Sequence, residues 1–349
     1  MQLTYKFRLR DKHSAELNRQ ARAVSYVWNF CNQTQQKAAQ SGRKWLTAVD
    51  LMRLTAGAGK LLDLHAHTIQ KVCQQYDRSR SAKRKPWLRW RGRKSLGWVP
   101  YNAGHVTFDG KTFKFRGARY ETMHMRDLPA GVKIAAGSFN ADSKGRWYLN
   151  VCVEVATADH APLTRVGIDL GLKDLASFSD GRPPVEMPRF YRKSEAALAT
   201  AQRAKKTKRV RAIHAKIANR RKDFMHKLST KLSKEYGLIV VGDVSPSKLA
   251  QTRMAKSVLD AGWSDLKAKL LYKSIRNGGS CLEVSEHMST QLCSSCGALP
   301  PERPRGIAQL GIRLWTCSGC GTEHDRDVNA ARNILARAGH RTLAEGARL

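Results

Sequence analysis

The sequence predicts an α/β protein in two parts. The C-terminal part is ordered strand–strand–helix–strand–helix–strand–helix, and the N-terminal part is a small antiparallel barrel or sandwich interrupted by helices. Two observations carry this expectation. Between His105 and Ala156, short alternating runs are punctuated by DG, AG and KG turns, the signature of antiparallel strands. From Arg165 onward, apolar strand-like runs alternate with amphipathic helical ones, the pattern of an α/β domain. At 349 residues the chain is also longer than one compact core usually holds.

Taken in order, Leu3, Tyr5, Phe7 and Leu9 alternate onto one face, which predicts an opening strand. Leu17, Ala21, Val24, Trp28 and Cys31 recur at three and four, which predicts a helix, and Thr47–Tyr76 reads as one or two more. The pattern breaks over 78–94, where nine Lys or Arg and no acid surround Trp87 and Trp90. HVTFDGKTFKFRG, VKIAAGSFNA and RWYLNVCVEVA then read as strands with which the opening strand could pair, making the helices an insertion. TRVGIDLGLKDLASFSDG predicts two strands joined by a turn. Residues 190–236 read as a long basic helical region with Val210, Ile213, Ile217, Phe224, Leu228 and Leu232 in one stripe. LIVVGDV is continuously apolar, as in a strand buried on both faces. Val258, Leu259, Trp263, Leu266 and Leu270 predict a helix, SCLEVSE a strand, and DVNAARNILARAG the last helix. This is the order of an RNase H-like domain.

Lys and Arg number 63 against 28 Asp and Glu, a formal charge of +35. Such an excess repels itself and points to a polyanionic partner. The N-terminus carries no apolar targeting region, and no apolar run is long enough to span a bilayer, so nucleic acid is favoured over a membrane surface.

Of eight cysteines, four form two C-x-x-C pairs, Cys293/Cys296 and Cys317/Cys320, separated by twenty residues. Each pair brings two thiolates to one ion from a tight turn, and the second completes a tetrahedron, which predicts one structural zinc. His324 is expected to be a bystander. Cys31, Cys73, Cys152 and Cys281 are expected to be small buried hydrophobes.

Asp169 ends the strand RVGID, and Asp325 and Asp327 stand where the last helix begins. Carboxylates gathered from separate elements can hold Mg²⁺ for phosphodiester cleavage. On spacing alone, a helix cap at Asp325 and a strand-end turn at Asp169 are the competing explanations.

VGIDLGLKDLA, NRRKDFMHKLS, IVVGDV, STQLCSSCG and WTCSGCGTEHDRDVNAARNIL, in that order, resemble the TnpB family, transposon-encoded RNA-guided nucleases related to type V CRISPR effectors. The resemblance covers residues 165–338 and extends to the N-terminal half through domain order. It implies a RuvC-like nuclease domain at 164–291 and 322–349 with a zinc-ribbon insertion at 292–321. It further implies a β-barrel wedge domain at 1–10 and 86–163, and a helical recognition domain at 11–85. The catalytic acids it implies are Asp169 and Asp327, with Asp325 as a neighbour, and the catalytic cofactor it implies is Mg²⁺, two ions.

The family's middle acid has no counterpart, because Gly242 stands at its position. Asp243 is adjacent but should face the other side of the sheet. Either a glutamate from the next strand reaches the site, Glu286 being preferred over Glu283, or the protein is a guide-directed DNA-binding repressor without cleavage. The resemblance also implies a guide RNA made from the transposon end, a double-stranded DNA target with a short flanking motif, and a bacterial cytoplasmic or nucleoid location. A strand-transferring transposase is disfavoured, since His65 and His67 have no accompanying nucleophilic tyrosine. Phosphate contacts are expected from Lys83, Arg84, Lys85, Arg89, Arg91, Arg220, Arg221 and Lys227, with Trp87 and Trp90 either stacking on bases or anchoring the barrel.

Overall fold

The computed structural model describes residues 1–124, 127–128, 133–245, 249, 251, 254–305, 309 and 311–346, with side chains to 339. The chain divides into two compact units, Met1–Val155 and Ala156–Leu349.

In the first unit, β1 (Gln2–Arg8) pairs antiparallel with β7 (Trp147–Glu154), and β6 (Gly137–Ala141) and β2 (Trp98–Tyr101) complete the order β1-β7-β6-β2. A second sheet is the meander β3 (Val106–Phe108), β4 (Phe113–Phe115) and β5 (Ala118–Tyr120). Aromatic rings join the sheets: Phe113 lies 5.0 Å from Phe7, and Phe115 and Tyr120 lie 5.3 and 5.0 Å from Phe139. The opening strand therefore belongs to the later strands, and the helices between them are an insertion, as the alternation predicted. The AG turn at 130–131 lies outside the described residues.

The insertion holds α1 (Ser14–Gln40), α2 (Ala48–Leu54), α3 (Ala58–Leu62) and α4 (Ala66–Ala82). Thr47 and Asp50 form a capping box that starts α2. Cys31 and Cys73 are fully buried between α1 and α4, whereas Cys152 and Cys281 are only half-buried. The basic segment after α4 is strapped along α1 by two asparagines. Asn32 takes the amide of Leu88 (2.7 Å) and gives to its carbonyl (2.9 Å); Asn29 does the same for Arg91 (2.8 and 2.9 Å). Leu88 is thereby turned inward, while Trp87 and Trp90 stay 37% and 45% exposed, so neither is a core anchor.

In the second unit, β8 (Arg165–Asp169) and β9 (Asp174–Phe178) form a hairpin extended by β10 (Val185–Glu186). After α5 (Glu195–Arg203) and α6 (Thr207–Glu235), β11 (Leu238–Gly242) pairs parallel with β8. Then α7 (Ala255–Ala261) and α8 (Trp263–Arg276) lead to β12 (Ser280–Val284), parallel to β11. The order β10-β9-β8-β11-β12 is that of an RNase H-like sheet. The helical region expected over 190–236 and the helix expected around Val258–Leu270 are each divided at a left-handed residue: Lys205 (φ 51°) parts α5 from α6, and Gly262 (φ 66°) parts α7 from α8. The α6 stripe is buried at Ile217 and Leu232 but only half-buried at Val210 and Ile213.

The last helix, α9 (Arg326–Gly346), crosses the sheet over Gly167. A Cβ there would lie 2.0 Å from the carbonyl of Ala331 and 2.8 Å from Leu335 Cβ. The glycine of VGID thus lets the helix seat directly on the strand. Two residues on, Asp169 shares that face, and one helical turn before Ala331 stands Asp327. Gly167→Ala should therefore destabilise this unit by about 1–3 kcal/mol through overpacking, read as a lower urea midpoint. An unchanged midpoint would refute the close-approach argument.

Candidate acid site and zinc module

The parallel register places Val241 beside Ile168, which brings Gly242 level with Asp169 at the carboxyl ends of β8 and β11. Gly242 also faces α9. A Cβ on it would stand 3.3 Å from Ile334 Cδ1, and 3.0 Å from Glu286 Oε2. The space that a side chain at 242 would use is thus occupied by the Glu286 carboxylate. Val284 pairs with Gly242, so Glu286, two residues further, returns to the same face.

Glu283 lies one step out of phase, opposite Val241, and its carboxylate binds Lys267 of α8. It belongs to the other face of the sheet. Asp243 is exposed, and its Oδ1 accepts the amide of Glu286 at 3.1 Å, which orients the loop carrying that residue. Asp325 accepts the amides of Asp327 and Val328, each at 3.0 Å, and so caps α9, as the competing explanation held.

Electrostatics tie the other three acids together. Burial, then the charges of Asp327 and Glu286, push Asp169 up to about 7, against the opposing pull of Arg326 and Arg313. Asp327 is raised by burial, with Arg313 opposing and Asp325 adding to the rise. Glu286 is raised by burial and by Asp243. Buried carboxylates raised in this way lack the positive charge that would let all of them ionise. Arg313, whose guanidinium binds Asp327, supplies part of it. Sequence reasoning gave no signal for Arg313, because only the fold of the zinc module carries it there.

The two cysteine pairs form matching turns. Gly297 and Gly321 directly follow the second cysteine of each pair with φ of 75° and 72°. Their amides return to the carbonyls of Cys293 and Cys317. The four Sγ atoms lie within 4.8 Å of one another, with Cys293–Cys320 at 3.6 Å and Cys296–Cys317 at 3.8 Å. A tetrahedron with Zn–S bonds of about 2.3 Å separates its sulfurs by about 3.8 Å, so the set fits zinc. His324 is buried against Trp315, with Nε2 3.0 Å from Cys293 Sγ, a hydrogen-bonding neighbour of the ligand set.

Strand β13 (Leu314–Thr316) leads into the second turn, and β14 (Glu323–Asp325), paired antiparallel with it, runs from that turn into α9. The first turn is held to that helix by Asn329 and Asn333, one turn apart. Both donate to the carbonyls of Ser289 and Leu292, and Asn329 Oδ1 accepts the Ser294 amide at 2.9 Å. The asparagine of the D-x-N motif therefore docks the zinc module onto the helix that bears Asp327.

Among the expected phosphate contacts, Lys83, Arg84, Lys85, Arg89 and Arg220 are exposed. Lys227 is exposed and pairs with Asp223 at 2.8 Å, a solvent-screened contact. Two expectations are corrected. Arg91 packs its guanidinium against the rings of Trp28 and Trp98 and donates to the Leu96 carbonyl. Arg221 binds the buried Asp260, which also accepts the Tyr191 amide. Both guanidinium groups are committed to protein partners, and periodicity cannot distinguish such cations from free ones.

Comparison with known proteins identifies the chain. A protein of Streptomyces pristinaespiralis, provisionally named an RNA-guided DNA endonuclease, is 30% identical over 95% of this chain and 88% of its own length. This chain belongs to the TnpB-like family of RNA-guided DNA endonucleases. The E. coli K12 protein InsQ, provisionally named in the same way, is 27% identical over 98% of the chain and 93% of its own length. The family model OrfB_IS605, "Probable transposase", matches residues 149–253, and "Cas12f1-like, TNB domain" matches 263–334, which spans the zinc module. A solved complex of Cas12f1 with single guide RNA and target DNA shares the fold, with a TM-score of 0.58 over 92% of this TnpB-like chain and 82% of that one, at 13% identity. Among the described residues, no helix is long and apolar enough to cross a membrane.

Proposed function

We propose that this TnpB-like protein is an RNA-guided DNA endonuclease that hydrolyses phosphodiester bonds with Asp169, Glu286 and Asp327 as catalytic metal ligands. The observation that supports this most is the convergence on Asp169 of Asp327 from α9 and Glu286 from beyond β12, with Glu286 filling the space over Gly242. Divalent cations such as two Mg²⁺, held by these carboxylates, would supply Lewis-acid stabilisation of the attacking and leaving oxygens. Asp243 positions Glu286 through its amide, and Asn329 fixes the module from which Arg313 reaches Asp327. Arg313 balances part of the charge of Asp327, a role that bound cations would share.

The guide RNA, made from the transposon end, would read sequence by base pairing, while the protein tracks backbone and reads a short flanking motif on the DNA duplex. Lys83, Arg84, Lys85, Arg89, Arg220 and Lys227 supply exposed cations for phosphate, and Trp87 and Trp90 supply exposed rings for stacking. The zinc module would contact the target strand, and the protein would act in the bacterial cytoplasm or nucleoid. In this reading, residues 1–10 with 86–163 are the wedge domain, 11–85 the recognition domain, 164–291 with 322–349 the nuclease and 292–321 the zinc insertion.

The protein assembled with its guide should cut a matched duplex bearing the flanking motif in Mg²⁺, and EDTA should abolish cutting. Guide-dependent binding with no product under any divalent metal would instead establish the repressor reading.

A further inference from the structure

His65 and His67 stand apart from the nuclease chemistry, yet the fold gives them a third partner. His65 is the extended residue that starts α4, with ψ of 137°, and His67 is the second residue of that helix. His105 lies in the turn between β2 and β3, with its amide on the Asn102 carbonyl. The rings of His65 and His67 stack at 5.2 Å, and His105 lies 4.7 and 4.5 Å from them. One ring nitrogen from each lies within 4.8 Å of the others.

We propose that His65, His67 and His105 form a second transition-metal site, independent of the four-cysteine zinc, which clamps the start of α4 to the β2–β3 turn. His67 is already oriented for this. Its Nδ1 lies 3.0 Å from Gln70 Oε1, a carbonyl oxygen that can only accept, so Nδ1 carries the proton and Nε2 keeps the lone pair. A polar partner behind the ligating ring is the usual arrangement around metal-binding histidines. The set offers imidazoles alone, which suits Zn²⁺, Co²⁺ or Ni²⁺ rather than Mg²⁺ or Ca²⁺. Nitrogens around a tetrahedral zinc stand about 3.3 Å apart for Zn–N bonds of about 2.0 Å. Rotation of the three rings, with the His65 Nδ1 giving up the bond it accepts from the His67 amide at 3.3 Å, would reach that spacing. Asp63, two residues before His65, is bound by Arg19 and Arg116, so its charge is already matched. Three protein ligands leave a fourth position for water or another exchangeable oxygen.

The test uses the untagged full chain carrying Asp169→Asn, so that the acid cluster takes up no zinc. After equilibration with excess Zn²⁺ and gel filtration, two equivalents of zinc per chain are expected by elemental mass spectrometry. His67→Ala and His105→Gln should each lower this to one, with the melting temperature of the metal-free protein unchanged. With Co²⁺, the four-cysteine site should give thiolate charge-transfer bands. The histidine site should add visible absorption without them, and His105→Gln should remove only that addition. One equivalent in the parent chain, or two retained in either histidine variant, would overturn the proposal.

Discussion

Glu286→Gln is expected to slow cleavage of guide-matched DNA by about 10²- to 10⁴-fold, because a metal ligand contributes several kcal/mol of transition-state charge stabilisation. Guide-dependent binding should survive, since Glu286 lies at the sheet and not among the exposed cations. Glu283→Gln is the control and should change the rate little, as its carboxylate faces α8 and Lys267. The same geometry predicts how position 242 behaves. Gly242→Glu in the otherwise native chain should lower activity, because its Cβ meets Glu286 Oε2 at 3.0 Å and Ile334 Cδ1 at 3.3 Å. Combined with Glu286→Gly, it should recover part of the lost rate, since position 242 is level with Asp169 and faces α9. Wild-type cutting by Glu286→Gln, or an equal loss in Glu283→Gln, would sink the assignment.

Asp169→Asn is expected to abolish cutting and also to stabilise the metal-free protein above neutral pH. With its folded pKa raised to about 7, Asp169 stays protonated in the native state while the unfolded chain releases its proton near pH 4. Stability from this group is therefore full at low pH and lost as pH rises from about 4 through 7. Asp327 and Glu286, also raised, act in the same direction. His226, lowered to about 4 chiefly by burial, acts oppositely over pH 4 to 6.5, so the difference between variant and parent is the quantity to follow. That difference in melting temperature should be near zero at pH 4 and grow through pH 7, corresponding to a stability difference on the order of 4 kcal/mol by pH 8. Mg²⁺ should raise the melting temperature of the parent and not of the variant. A difference that is constant with pH would remove Asp169 from a shared carboxylate cluster.

Much of this was legible in the chain itself. Strict alternation in β1 and β7 and continuous apolarity in LIVVG fixed which segments are strands and how many faces they bury. The doubled C-x-x-C, each followed by glycine, specified a zinc turn, because thiolate spacing and left-handed backbone are local properties. Asp169 and Asp327 were likewise readable from their motifs. Sequence left Asp325 undecided between cap and ligand, and only the hydrogen bonds to the Asp327 and Val328 amides make it a cap.

Other features are products of packing. Which glutamate turns toward Asp169 depends on the phase of β12 against β11 and on the space that a missing side chain at Gly242 leaves to Glu286, neither of which a one-dimensional pattern contains. The same holds for Arg313, Arg91 and Arg221, cations whose partners come from distant segments. It holds also for His105, placed beside His65 and His67 by a turn some forty residues away. The sequence by itself determined the strands, the zinc turns and two of the acids, since each is set by local spacing. The tertiary structure alone decided the placement of Glu286 over Gly242 and the histidine cluster, because register and close approach arise only when separate elements pack.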